Sequence, residues 1–275
     1  MNIATDGMHF DNRVDGITIK SDREMSYMRQ AGAVVAEVKK SIKSAIIDGV
    51  TTRELDVIAE EEIARLGAES NFKGYTGGGS VPFPGTICVS VNDEIVHGIP
   101  SGKILRNGDL VSVDVGAIVN GFHGDSAFTV PVGKVSEQVE ALIDTTREAL
   151  NIGISQMRAG ARVGDISAAV QSYSEGLGYG VVRKYTGHGI GRSLHEEPQV
   201  PNYGLPGRGP LLRAGMALAI EPMLNLGSAD TVELDDGWTV ATADGSISAH
   251  FEETVGILDK GIVEVFTSET MSSGI

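Results

Sequence analysis

Two carboxylates in this sequence sit where carboxylates are expensive. Asp114 interrupts the apolar run Leu110-Val111-Ser112-Val113-Asp114-Val115, and Glu221 interrupts Leu218-Ala219-Ile220-Glu221-Pro222-Met223. Burial of an ionised carboxylate is costly unless it is paired or binds a metal. For Asp114 the plain alternative is a strand with one wet face, since Ser112, Asp114 and Gly116 fall on the same side. Asp125, in Gly121-Phe122-His123-Gly124-Asp125-Ser126, reads by itself as a turn aspartate, although two carboxylates on paired antiparallel strands can share a cation. His188 lies among glycines in Gly187-His188-Gly189-Ile190-Gly191. Those glycines let the backbone approach closely and leave the imidazole unobstructed, although an incidental loop histidine fits the same residues. Glu252 and Glu253, in Ala249-His250-Phe251-Glu252-Glu253-Thr254, point to opposite faces of a strand, so one of them faces any given site. His250 shares the face of Glu252, and a charged edge strand is the alternative for both. As a set, Asp, Asp, His, Glu and Glu form an oxygen-rich group of donors suited to divalent ions such as Mn, Fe or Co.

Other chemistries are excluded by what the chain lacks. Its one cysteine, Cys88, can form neither an internal disulfide nor a thiolate zinc site, and is compatible with a reducing cytoplasm. Gly77-Gly78-Gly79-Ser80 is not followed by Gly-Lys-Ser/Thr, so it is not a phosphate loop and reads as a mobile loop near a pocket. No Gly-x-Ser-x-Gly elbow of a serine hydrolase occurs. With 37 acidic against 22 basic residues and a formal charge of −15, the chain has no basic cluster to neutralise nucleic-acid phosphates. No stretch reaches the roughly 20 apolar residues of a membrane helix. Met1 to Lys20 is polar, carries Asp6, Asp11 and Asp15, and does not read as a secretory signal.

The elements that must position these residues follow from caps and periodicity. Residues 1–20 read as a loosely tied extension, and residues 21–275 as a single catalytic domain. Ser21 with Glu24 and Thr51 with Glu54 are capping boxes that open helices running to about Ile47 and Leu66. Gly49 stops the first. Strands are expected at Ile87–Val91, Leu110–Val119 and Ala127–Val132, helices around 136–158 and 164–177, and strands with turns from Val181 to Phe266. The chain also repeats weakly. Leu105-Arg106-Asn107-Gly108 precedes Asp114 as Leu212-Arg213-Ala214-Gly215 precedes Glu221, and Gly49 with Leu66-Gly67 recurs as Gly160 with Leu177-Gly178. This predicts two pseudo-symmetric halves, roughly 21–135 and 136–270. Each would be two helices followed by strands, with Asp114 and Glu221 meeting near the axis between them.

At these residues the sequence resembles the methionine aminopeptidases, of the α+β "pita-bread" creatinase-like fold. The blocks that carry the resemblance occur in order: Val96-His97-Gly98-Ile99-Pro100, Ser112-Val113-Asp114, Gly121-Phe122-His123-Gly124-Asp125, Thr186-Gly187-His188-Gly189-Ile190-Gly191, Ala219-Ile220-Glu221-Pro222-Met223, Asp236-Gly237-Trp238-Thr239 and Ser248-Ala249-His250-Phe251-Glu252. The short spacing from His188 to Glu221 favours the type I enzymes. The resemblance implies that Asp114, Asp125, His188, Glu221 and Glu252 bind two divalent metals (Co, Mn, Fe or Zn), with Asp125 and Glu252 bridging them. It implies that His97 and His195 contact the scissile peptide, and that Glu221 moves the proton. Phe83, Cys88 and Trp238 would line a methionine pocket, and Asn92 and Ser248 would sit by a monovalent cation. The partners it implies are N-termini of nascent polypeptides and the ribosome, for a monomeric cytoplasmic enzyme that touches no membrane.

Three positions depart from the family pattern. Glu253 replaces a common histidine, Leu194 stands where phenylalanine is common, and about five residues are inserted between Tyr75 and Phe83, including Gly77–Pro82. The competing expectations are a proline-directed peptidase of the same fold and a non-catalytic binding module. The first usually carries a separate N-terminal domain, for which this chain has no room. The second would have lost ligands that are intact here.

Overall fold

The computed structural model describes residues 13–77 and 81–269. The glycines at 78 and 79 and most of the expected extension, residues 1–12, lie outside them. Among the described residues four α-helices run α1 (Asp22–Ala45), α2 (Thr52–Arg65), α3 (Glu137–Gln156) and α4 (Val163–Gly176). Both expected capping boxes form, with the Ser21 and Thr51 hydroxyls accepting from the Glu24 and Glu54 amides while each glutamate reaches back to the cap amide. α1 buries Met25, Met28, Val35, Val38 and Ile42, an i, i+3, i+4 stripe laid against the strands Leu110–Val119 and Phe122–Pro131.

Those two strands form one long antiparallel hairpin, Leu110 opposite Pro131 and Val119 opposite Phe122. Its turn is Asn120-Gly121, with φ of 52° and 74°. Positive φ at both central residues is what a type I′ hairpin turn demands and Asn-Gly supplies. The second strand therefore starts at Phe122, five residues before the expected Ala127. Asp125 is not in a turn: it lies within the strand, opposite Gly116 and 3% exposed. This hairpin joins Glu69–Ser70 and Cys88–Val91 in a four-stranded sheet. A five-stranded sheet runs in the order Glu196–Val200, Gly187–Gly189, Ala217–Ile220, Glu253–Ile257, Val263–Val265. The two sheets are stitched by reciprocal backbone hydrogen bonds between Ala127 and Glu252, at 3.0 and 3.2 Å.

The repeat is visible as hydrogen bonds. Gly49 N–H donates to Leu105 O and Leu105 N–H to Val50 O; Gly160 N–H donates to Leu212 O and Leu212 N–H to Ala161 O. Isolated bridges Thr51–Ile104 and Arg162–Leu211 complete the match. Each helix pair is thus tied to its strands by the same clasp, and the glycines at 49 and 160 both need φ near 90°. Before α1, the part of the extension that is described is tied down. Arg13–Val14 pairs with Ile17–Thr18, Ile17 is buried, and Lys20 Nζ meets Glu196 at 2.7 Å. Among the described residues no helix is long and apolar enough to cross a membrane.

Candidate active site

Asp114, Asp125, His188, Glu221 and Glu252 converge from four segments on one cavity of about 280 Å³, whose walls also include His97, His195, Phe83, Cys88 and Trp238. The hairpin register brings two of them together: Asp114 faces Ala127 and Asp125 faces Gly116, so the carboxylates are diagonal neighbours on one face. Glu221 follows the strand Ala217–Ile220, held by Asn202 Nδ2 donating to its carbonyl at 2.9 Å. Glu252 is fixed by its pairing with Ala127, and Glu253 points away, as alternation requires.

His188 Nδ1 donates to the Gly189 carbonyl at 2.8 Å, which leaves Nε2 as a bare lone pair. Nε2 faces Glu221 Oε1 at 3.8 Å and Asp125 Oδ2 at 4.0 Å. These are acceptors facing acceptors. Asp114 Oδ1, Asp125 Oδ1 and Glu252 Oε1 are buried with no hydrogen-bond donor. Ligand atoms of Asp125, His188 and Glu252 lie within 4.8 Å of one another. A divalent cation satisfies all of these groups at once, so the donor set fits a metal.

The electrostatics agree. Burial raises Asp114 to about 7; burial and the Asp114 charge raise Glu221 to about 8. Burial, then the neighbouring carboxylates, push Asp125 and Glu252 well above the ordinary range. Burial lowers His188 to about 3 and His97 to about 4, keeping both neutral at pH 7.

The apolar wall is built by Phe83 and Trp238, whose rings meet edge-on at 5.2 Å, with the buried Cys88 beside them. The Trp238 indole N–H donates to Val81 O at 3.0 Å, which ties Val81 to this wall. His97 sits at φ 60° between the rings of Tyr185 and Trp238. His195 stacks edge-on to His188 at 4.3 Å. Asn92 and Ser248 are also brought together, with Ser248 N–H donating to Asn92 O at 2.9 Å.

The profile of metallopeptidase family M24 matches residues 26–259. The chain is 49% identical to methionine aminopeptidase 1 of Bacillus subtilis, over 89% of this chain and 97% of that one. It is also 49% identical to methionine aminopeptidase 1 of Mycobacterium tuberculosis, over 88% and 92%. The crystal structure of methionine aminopeptidase from Thermotoga maritima superposes with a TM-score of 0.88 at 43% identity, covering 92% of this chain and 99% of that one. The chain belongs to metallopeptidase family M24, among its methionine aminopeptidases. Prolidase from Pyrococcus furiosus, another pita-bread protein, superposes with a TM-score of 0.72 at 21% identity; that likeness shows the fold alone. As in the type I pattern, no helix interrupts the stretch from His188 to Glu221 in this M24 chain.

Sequence reasoning missed Tyr75. Its hydroxyl bonds His195 Nδ1 at 2.5 Å. No motif marks it; only the fold brings residue 75 to residue 195. His250 was read only as sharing a face with Glu252, yet its Nε2 lies 3.9 Å from Glu221 Oε2.

The raised carboxylates make a prediction about pH. A folded-state pKa above the unfolded value of about 4 contributes stability that is fully present below that value. It is lost as pH rises through the folded pKa, here about 7 for Asp114 and about 8 for Glu221. The depressed histidines act oppositely, but only below their unfolded value of about 6.5. Between about pH 7 and 8.5 the metal-free protein therefore loses stability, and the gain in Tm on adding Mn²⁺ grows, because metal and protons compete for the same oxygens. Thermal melts with chelator and with Mn²⁺ at both pH values check this; an equal gain at the two would mean that the carboxylates are already ionised without metal.

Proposed function

We propose that this chain removes the N-terminal methionine from nascent polypeptides by hydrolysis at two divalent ions. The observation that carries this is the convergence of unpaired carboxylate oxygens and the bare His188 Nε2 at the end of an apolar slot. Asp114, Asp125, His188, Glu221 and Glu252 would hold the ions, with Asp125 and Glu252, by the resemblance, common to both. When bound, such ions supply an acidified water as nucleophile and a Lewis acid for the scissile carbonyl.

The chain's own residues do the rest. Glu221, poised near neutrality by burial, takes and returns the proton at its carboxylate. His97, neutral in its aromatic niche, donates to the departing amide nitrogen. The Tyr75 hydroxyl bonds His195 Nδ1; in the tautomer where the hydroxyl donates, the His195 proton sits on Nε2 and can be given to the developing oxyanion. Phe83, Cys88 and Trp238 take the methionine side chain. By the resemblance, a monovalent cation would sit beside Asn92 and Ser248. Acting on nascent chains, the enzyme would work in the cytoplasm, near the ribosome. Identity to named methionine aminopeptidases across nearly their full length favours this reading over a proline-directed peptidase.

Specificity tests it. In one reaction containing Met-Ala-Ser, Leu-Ala-Ser and Met-Lys-Ser, Met-Ala-Ser is cut first. Leucine at the first position branches inside the slot and is disfavoured by ~1–3 kcal/mol. Norleucine, unbranched like methionine, is cut nearly as well. Equal cleavage of all three peptides by mass spectrometry would identify a general aminopeptidase instead.

A further inference from the structure

A polar cluster lies directly behind these ligands, on the far side of the hairpin. Lys39, on the buried stripe of α1, is 2% exposed. Its ammonium donates to Ser126 Oγ at 2.6 Å and to Glu253 Oε1 at 3.1 Å. An ammonium in that place is costly to desolvate, and the neighbouring positions Val35, Val38 and Ile42 are apolar, so packing alone calls for a leucine or methionine. The fully buried Ser126 hydroxyl passes the contact on, donating to the backbone carbonyl of Glu252 at 2.6 Å.

The other end of the cluster reaches Asp125. The second oxygen of Glu253 accepts from the Thr267 hydroxyl. Thr267 Oγ1 accepts from Thr254 N–H at 3.0 Å. The Thr254 hydroxyl donates to Asp125 O at 2.7 Å and accepts from Asp125 N–H at 3.0 Å. Ser126, Thr254 and Thr267 are all 0% exposed. One chain of hydrogen bonds therefore starts at α1, crosses to the C-terminal segment, and grips the backbones of both Glu252 and Asp125.

We propose that Lys39, acting through Ser126 and Glu253, is a positioning residue for the metal centre. It locks the backbones of Asp125 and Glu252 so that their carboxylates converge although they repel. The inference rests on the reading of those two residues as metal ligands. The Lys39–Glu253 pair is neutral overall, so its effect is geometric. It also accounts for Glu253, whose carboxylate serves as the counter-ion of a buried lysine and not as a ligand.

The test is calorimetric titration of the chelator-stripped full-length protein with Mn²⁺, for the parent, Ser126→Ala, Ser126→Thr and the charge-neutral pair Lys39→Met with Glu253→Gln. Loss of outer partners of metal ligands weakens affinity about 10–100-fold. That loss is expected for Ser126→Ala and for the paired variant, while Ser126→Thr, which keeps the hydroxyl, binds like the parent. Melting of each metal-free variant is followed in parallel. A purely structural role would lower the melting temperature and leave the affinity of folded protein unchanged, which overturns the proposal. Parent-like affinity of the paired variant alone overturns the role of Lys39. A parent that binds no Mn²⁺ would instead overturn the metal reading on which this one stands.

Discussion

Asp125→Ala and Glu252→Ala each lower kcat/KM on Met-Ala-Ser by far more than 100-fold, since losing even an outer partner of a ligand costs about 10–100-fold. The two residues are 3% and 2% exposed, and each has an oxygen with no donor. Removing either takes away a ligand that both ions would share. The fold should survive. Deleting one buried carboxyl group from an acidic cluster removes a desolvation cost in the metal-free protein, so its melting temperature should hold or rise. Elemental analysis of the dialysed variants should find less metal per chain than in the parent. Turnover near that of the parent in either variant, persisting after chelator treatment, would sink the two-metal mechanism.

Glu221→Gln is the second large effect. Glutamine keeps the shape and one acceptor oxygen but cannot carry the proton. General acid–base groups contribute roughly 10²–10⁴-fold, and the loss should appear in kcat with KM little changed. Because Glu221 also stands beside His188 Nε2 at 3.8 Å, metal content has to be measured alongside the kinetics. A variant that keeps its metal and loses kcat supports the proton role. One that keeps both would remove Glu221 from the mechanism.

Much of this site is legible in the sequence because its signals are local. The capping boxes at Ser21 and Thr51, the long strand Leu110–Val119 and the glycine-flanked His188 are read from neighbouring residues, and the resemblance carried by the ordered motifs supplies the candidate ligands that the fold gathers around one cavity. The misreading of Asp125 was also local. By itself it reads as a turn aspartate, whereas Asn120-Gly121 is the complete turn and Asp125 lies in the strand beyond it. What stayed hidden is non-local. Tyr75 meets His195 and Lys39 meets Glu253 only once the chain is folded, and neither pair has a spacing that a periodicity can find. Buried charge on an apolar helical stripe is a detectable oddity, but nothing in the sequence says what it opposes.

The matching clasps at Gly49–Leu105 and Gly160–Leu212 have a kinetic corollary. Each ties a helix pair to strands of its own half, over modest loops. The acidic centre draws on both halves, from Asp114 to Glu252, and closing loops of that length is paid for late. A bound ion would then act as a rivet set after the plates are aligned. Local fraying of either helix pair could leave it in place, whereas parting the halves must release it. Metal escape would accordingly track the slowest amide-exchange class of the protein, the one that reports its global opening.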